Sequence, residues 1–170
     1  MAAVDVALTP ARRAHAPMLA RLSRDLIEVG LGWEYRADRM AKLISDRNAT
    51  TLVAHDGPRC VGFGVMTFGD DRAHLVLLAV VPTHRRRGIA RAMMNWLLES
   101  AKTAGIASIH LELLEDNAAA RAFYRALGFT ETLRLPGYYR ASKTAMRMIL
   151  VLRRCEAPRV CWTPPPRTRC

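Results

Sequence analysis

The chain has 170 residues, with 26 basic against 15 acidic side chains and a formal net charge of +11. Half of it is hydrophobic (51%) and 24% is charged, a balance that excludes wholesale disorder, and the length fits one domain. No apolar run approaches the roughly 20 residues of a membrane helix, and residues 1–15 lack the basic start and apolar core of a secretory signal.

Residues 4–8 alternate weakly and predict a first strand. Thr9 as N-cap and Pro10 in the first turn predict a helix, which Leu19, Leu22, Leu26 and Ile27 carry to about Val29. A second helix is expected over 38–46, with Met40, Leu43 and Ile44 inward. Residues 51–55 and 61–68 read as a hairpin turned at Asp56-Gly57-Pro58. Residues 75–81 are continuously apolar, which predicts a strand buried on both faces.

After Pro82 a basic loop leads into a helix over 89–104, with Ile89, Met93, Trp96 and Leu97 inward. Residues 108–114 alternate, placing Ile109, Leu111 and Leu113 on one face and His110, Glu112 and Leu114 on the other. A short helix over 117–127 follows, then strands over 129–135 and 145–152 joined through Pro136-Gly137-Tyr138-Tyr139. The expected architecture is a single α/β domain over residues 3–152, a mixed sheet with helices on both faces. Residues 153–170 form a Pro- and Arg-rich tail, read as disordered, with five arginines and one glutamate. Of the 26 basic residues 23 are arginine, which reads either as composition expressed on a solvated surface or as a preference for anionic ligands or partners.

Cys60, Cys155, Cys161 and Cys170 have no C-x-x-C spacing and read as free thiols in a reducing compartment; no metal site is expected. No nucleic-acid motif appears, and the arginines form no stripe interleaved with aromatics, so no specific nucleic-acid partner and no membrane partner are expected.

Two stretches carry chemistry. In LLAVVPTHRRRGIARAMM (77–94), a strand runs into a basic loop whose Gly88 opens a helix. Unpaired N–H groups at a helix N-terminus and the helix dipole attract anions. Gly88 permits close backbone approach, Ala90 keeps the first turn uncrowded, and Arg85, Arg86, Arg87 and Arg91 add charge. Neither a Walker loop nor G-x-G-x-x-G is present. In IHLELLEDNAAARAFYRALGFTET (109–132), Asn117 heads a short helix that contains Phe123 and Tyr124.

The run R-R-R-G-I-A resembles the [QR]-x-x-G-x-[GA] loop of the GCN5-related N-acetyltransferase (GNAT) family, and N-A-A-A-R-A-F-Y-R-A-L-G-F resembles that family's second motif at the fitting distance. Within the family, L-E-L-L-E-D-N, A-F-Y and P-G-Y-Y look most like the branch that acetylates ribosomal-protein alanine. The resemblance implies a splayed sheet and direct acetyl transfer from acetyl-CoA to an amine, of a protein or peptide or of a small molecule, with no metal. A non-catalytic sensor that only holds CoA is the other class. By resemblance, the cofactor pyrophosphate lies on the N–H groups of residues 86–91, including Ile89. Its arm pairs with the backbone of Leu78, Ala79 and Val80, and Asn117 meets the pantetheine region. Phe123 is grouped with the cofactor residues, although core packing is the plainer reading of it. Glu112 is implied as the base, acting through water, and Tyr124 as the acid. If the face carrying Glu112 lines the cleft, burial is expected to raise its pKa. Tyr138 and Tyr139 are the expected acceptor wall, with Trp33 either in the opposite wall or capping the core. The resemblance also implies a homodimer, as family members often pair through terminal strands, and the cytoplasm is the expected location.

Overall fold

The computed structural model describes residues 6–139 and 143–153. Seven strands make one sheet in the order β1-β2-β3-β4-β5-β7-β6. They are β1 (Ala7–Pro10), β2 (Ala49–Asp56), β3 (Arg59–Phe68), β4 (Arg72–Val80), β5 (Ser108–Leu114), β6 (Thr130–Tyr139) and β7 (Lys143–Val151). The helices are α1 (Ala16–Leu26), α2 (Ala37–Ser45), α3 (Ile89–Thr103) and α4 (Ala118–Arg125). Every strand pair is antiparallel except β4 with β5. No helix of the described residues is long and apolar enough to cross a membrane.

Two apolar layers sandwich the sheet, as the sequence predicts. One holds Leu19 of α1 and Met40 of α2 against Val53, Phe63, Val65, Leu77 and Ala79. The other holds Met93, Leu97 and Ala101 of α3 against Leu52, Leu75, Ile109 and Leu111, with Tyr124 and Phe129 beside them.

Several expected elements shift. Thr9 and Pro10 end a strand rather than start a helix. Pro10 fits there because β1 is an edge strand, and a missing N–H is tolerated at an edge. Helix α1 begins only at Ala16, with Pro17 in its first turn, and ends at Leu26. Trp96 is 37% exposed. Consecutive helical residues lie about 100° apart, so the inward stripe of Ile89, Met93 and Leu97 leaves Trp96 on the flank. Strand β6 runs through Pro136-Gly137 to Tyr139. Of the tail expected over 153–170, residues 154–170 lie outside the described residues, as do three of the four cysteines. Cys60 is a half-buried free thiol.

Strand β4 corrects the largest expectation. Its burial alternates rather than covering both faces. Val65 faces Leu77 while Met66 faces Leu75, so Val76 is an extra residue, a β-bulge. Below the bulge Ala73 and Leu75 face the α3 layer; above it Leu77 and Ala79 face the α1 layer. A bulge bends its strand and ends pairing. Here the parallel pairing stops at His74–His110, after only three residue pairs, and the two strands diverge.

Candidate active site

The divergence opens a cleft through the sheet. A cavity of about 150 Å³ lies between Leu75–Leu78 on β4 and Leu111–Leu114 on β5, and Asn117, Tyr124 and Tyr139 also line it. The backbone of β4 supplies its polar edge. Val81 N–H donates to Val61 at 2.9 Å, which makes Val61–Val81 a hydrogen-bonded pair. Antiparallel pairing alternates, so Ala79 spends its polar groups on Phe63 whereas Leu78 and Val80 turn theirs to the open side. Ala79, one of the three strand residues expected to pair with the cofactor, is therefore corrected: it contributes no backbone group to the cleft. The Val80 carbonyl accepts from Arg85 Nε at 3.0 Å.

At one mouth of the cleft stands the basic loop. Arg86 adopts φ 62° and Gly88 φ 80°, both left-handed. Only glycine takes that conformation without cost, and a non-glycine residue held there marks local strain. Such alternation turns successive N–H groups toward one side as an anion cradle. No side chain caps α3 and no acid lies in its first turn, so its donors stay available to an anion. Arg85, Arg86, Arg87 and Arg91 are exposed around it, with Ile89 buried and Ala90 half-buried behind. The β2–β3 turn braces the loop: His84 Nε2 meets Asp56 Oδ2 at 3.0 Å, and Arg87 stands 3.9 Å from the same oxygen.

At the other mouth are Glu112 and His74. Glu112 is 7% exposed in its side chain; Oε2 accepts from His74 Nε2 at 2.6 Å and Oε1 from Arg147 Nε at 2.7 Å. These partners arise from register. Arg147 lies directly opposite Glu112 on β7, and His74 sits at the last β4–β5 pair. The hydrogen bond from His74 is the largest influence on the carboxyl and, with Arg147, holds it below the usual carboxylate range despite its burial. The expectation of a raised Glu112 pKa is overturned, because burial acts here on a carboxylate that already has two donors. His74, whose partner no local spacing reveals, keeps 44% side-chain exposure and lines the same space.

Beside this pair lies a cavity of about 280 Å³ whose walls include Glu28, Tyr35, Tyr138 and Tyr139. Burial raises the Tyr138 phenol and pushes that of Tyr139 up to about 12. The rings of Tyr138 and Tyr139 meet edge to face at 5.0 Å. Trp33 is not in this wall. Its Nε1 donates to the Ala20 carbonyl at 3.1 Å, and the guanidinium groups of Arg24 and Arg36 stack on its ring. It ties the α1–α2 loop to α1 instead. Buried Glu28 organises the wall: it accepts from Ser23 Oγ at 2.8 Å and from the Glu34 N–H at 2.6 Å. Sequence reading missed Glu28, because its partners are backbone and a serine.

Helix α4 presents Tyr124 to the cleft. Asn117 caps that helix, accepting from the Ala120 N–H at 3.1 Å, and also lines the cleft. Burial pushes the Tyr124 phenol strongly up, so it stays protonated. Phe123 packs against the α3 layer and edge-on to Tyr124 at 5.1 Å. It is not among the residues lining this cavity, and these contacts are those of core packing. Among the described residues no cluster of His, Cys, Asp and Glu forms a metal site.

These features define an α/β protein whose sheet parts beside a basic loop at the head of a helix. Residues 18–129 match the Acetyltransferase (GNAT) family, and the chain belongs to that family. It is 36% identical over 88 residues to the [ribosomal protein bS18]-alanine N-acetyltransferase of Salmonella typhimurium, covering 52% of this chain and 58% of the relative. It is 31% identical over 113 residues to N-alpha-acetyltransferase MAK3 of Arabidopsis thaliana, covering 64% and 59%. The chain thus spans a little over half the length of these relatives. Its fold matches the crystal structure of the Escherichia coli ribosomal-protein-S18-alanine N-acetyltransferase, with a TM-score of 0.75, 23% identity and coverage of 86% and 93%. It also matches Arabidopsis thaliana NAA60 in complex with acetyl-CoA, with a TM-score of 0.75, 17% identity and coverage of 86% and 98%.

Proposed function

We propose that this chain transfers acetyl from acetyl-CoA to a primary amine, and that the acceptor is the N-terminal amine of a protein or peptide. The observation that carries the reading is the cleft itself. It joins an anion cradle at Gly88 to the His74–Glu112 pair through an opening lined by Tyr124.

The residues present fit acetyl-CoA. The left-handed loop and uncapped α3 suit a pyrophosphate, and the backbone of Leu78 and the Val80 N–H, turned to the open side, suit the amides of an extended arm, while Arg85 holds the Val80 carbonyl. When bound, acetyl-CoA supplies an activated acyl carbon and a thiol leaving group. An α-amine is largely protonated at pH 7 and must lose a proton before it attacks. Glu112, held below the carboxylate range, is a poor base by itself. His74 donates Nε2–H to it, which leaves the Nδ1 lone pair as the proton acceptor. Glu112 thus fixes the tautomer of His74. Tyr124, protonated through the working pH range, donates to the departing sulfur. The C–N bond forms as the C–S bond breaks, and no cysteine nucleophile is required.

The tyrosine-lined cavity supports a peptide over a small polycation, since Glu28 is already committed to the loop and Glu34 pairs with Arg39. Two relatives named as N-alpha-acetyltransferases support it as well. A protein acceptor of the ribosomal kind would place the chain in the cytoplasm. The test is acetyl transfer from labelled acetyl-CoA to peptide N-termini, lysine peptides and small amines. Transfer to peptide N-termini that falls in His74→Ala and Tyr124→Phe supports the reading. Binding of acetyl-CoA without transfer to any amine supports the sensor instead.

A further inference from the structure

A second cavity, of about 450 Å³, opens on the far side of the His74–Glu112 pair. It shares His74, Glu112 and Tyr138 with the acceptor cavity, so a chain whose amine lies in one continues into the other. Its charged lining is Arg72, His74, His110, Glu112 and Arg147. The sole carboxylate among these is already shared between His74 and Arg147. Arg147 approaches it through Nε, and its side chain stays 37% exposed. Arg72 is 71% exposed; its acidic neighbour Asp71 stands 3.7 Å away, equally exposed, and does not line the cavity. Two permanent cations therefore face a single, committed carboxylate.

We propose, on the basis of the acceptor reading above, that this cavity is a subsite for an acidic side chain in the second or third residue of the acceptor peptide. The geometry sets the position. Arg72 lies two strand residues from His74, about 7 Å at the rise of an extended strand. An extended peptide with its amine at His74 covers that distance in two residues. His110, on the same lining, is held below the usual imidazole range first by burial and then by the charges of Arg72 and Arg147. A carboxylate in this space gains two attractive partners, and a lysine meets repulsion from both.

The experiment compares peptides that differ only by Glu or Gln at residue two or three, with kcat/KM measured on the full chain at low and high salt. The glutamate peptide is expected to be favoured roughly fivefold at low salt, less at high salt, because partly exposed ion pairs are weak and screened. In Arg72→Gln the Glu-to-Gln ratio should fall toward one, and Arg72→Lys should restore it. A ratio of one in the unaltered protein overturns the subsite, as does a ratio that survives Arg72→Gln. If no peptide is acetylated while small amines are, the acceptor reading fails and the subsite with it. Peptides acetylated without regard to charge remove the subsite alone.

Discussion

His74 and Glu112 meet at 2.6 Å where β4 and β5 part. They are 38 residues apart in sequence, and the bulge at Val76 begins the divergence just beyond them. The same irregularity thus opens the cleft and leaves an imidazole and its carboxylate partner at the rim. Arg147 completes the arrangement from β7, so the carboxylate is oriented by two donors on two different strands.

If the pair acts as a unit, its members should not contribute independently. His74→Ala and Glu112→Gln are each expected to lower kcat by on the order of 100-fold, the usual scale for a lost acid–base group. The double variant should be little worse than either alone, because residues of one unit are non-additive. Steady-state kinetics of the three variants checks this. Full multiplication of the two losses would separate the residues mechanistically. A loss in Glu112→Gln with none in His74→Ala would return the base role to Glu112 acting through water.

Glu112 also predicts a pH dependence of stability. Its carboxyl is held below the unfolded value, so it binds fewer protons folded than unfolded. Such a group stabilises the fold above the unfolded carboxylate pKa of about 4.3 and loses that contribution as pH falls through the lowered folded value. Thermal melts of the unaltered protein and Glu112→Gln should therefore differ most near pH 6–7. The gap should close as the pH drops from about 5 toward 3, where the protonated glutamate resembles glutamine. A gap that widens in acid would contradict the lowered pKa.

Tyr124 is buried between Phe123 and Phe129, at ring distances of 5.1 and 5.5 Å. Tyr124→Phe keeps those edge contacts and removes only the hydroxyl. Its melting temperature should stay within a few degrees of the parent, whereas kcat should fall roughly 10- to 100-fold. The KM for acetyl-CoA should hardly change, since the cradle lies at the other mouth. An unchanged kcat would mean that the leaving thiolate needs no proton from this residue.

How far the sequence reaches follows from range. The Gly88 loop and the alternation of β5 are local patterns, and both appear where the spacing puts them. Asn117 caps α4 as its residue type predicts. What escapes is set by register between distant strands. Nothing in the apolar run at 75–81 announces that Val76 is an extra residue, because a bulge is defined by its partner strand. The Arg147–Glu112 pair depends on the same kind of information. Trp33 fails differently. A tryptophan in a loop near a cleft satisfies either side of that loop, and two arginines and the Ala20 carbonyl decide the matter away from the cavity.

Gly88 offers the sharpest test of the cradle. Its φ of 80° and its place as the residue heading α3 leave an alanine there strained by roughly 1–2 kcal/mol. Gly88→Ala is thus expected to raise the Kd for CoA at least tenfold, while binding of pantetheine, which lacks the pyrophosphate, changes far less. Calorimetric titration of both ligands separates a local loss from a global one. Equal weakening of both would indicate that the substitution disturbs β4 and α3 as a whole. Weakening confined to CoA would fix the pyrophosphate at the N-terminus of α3.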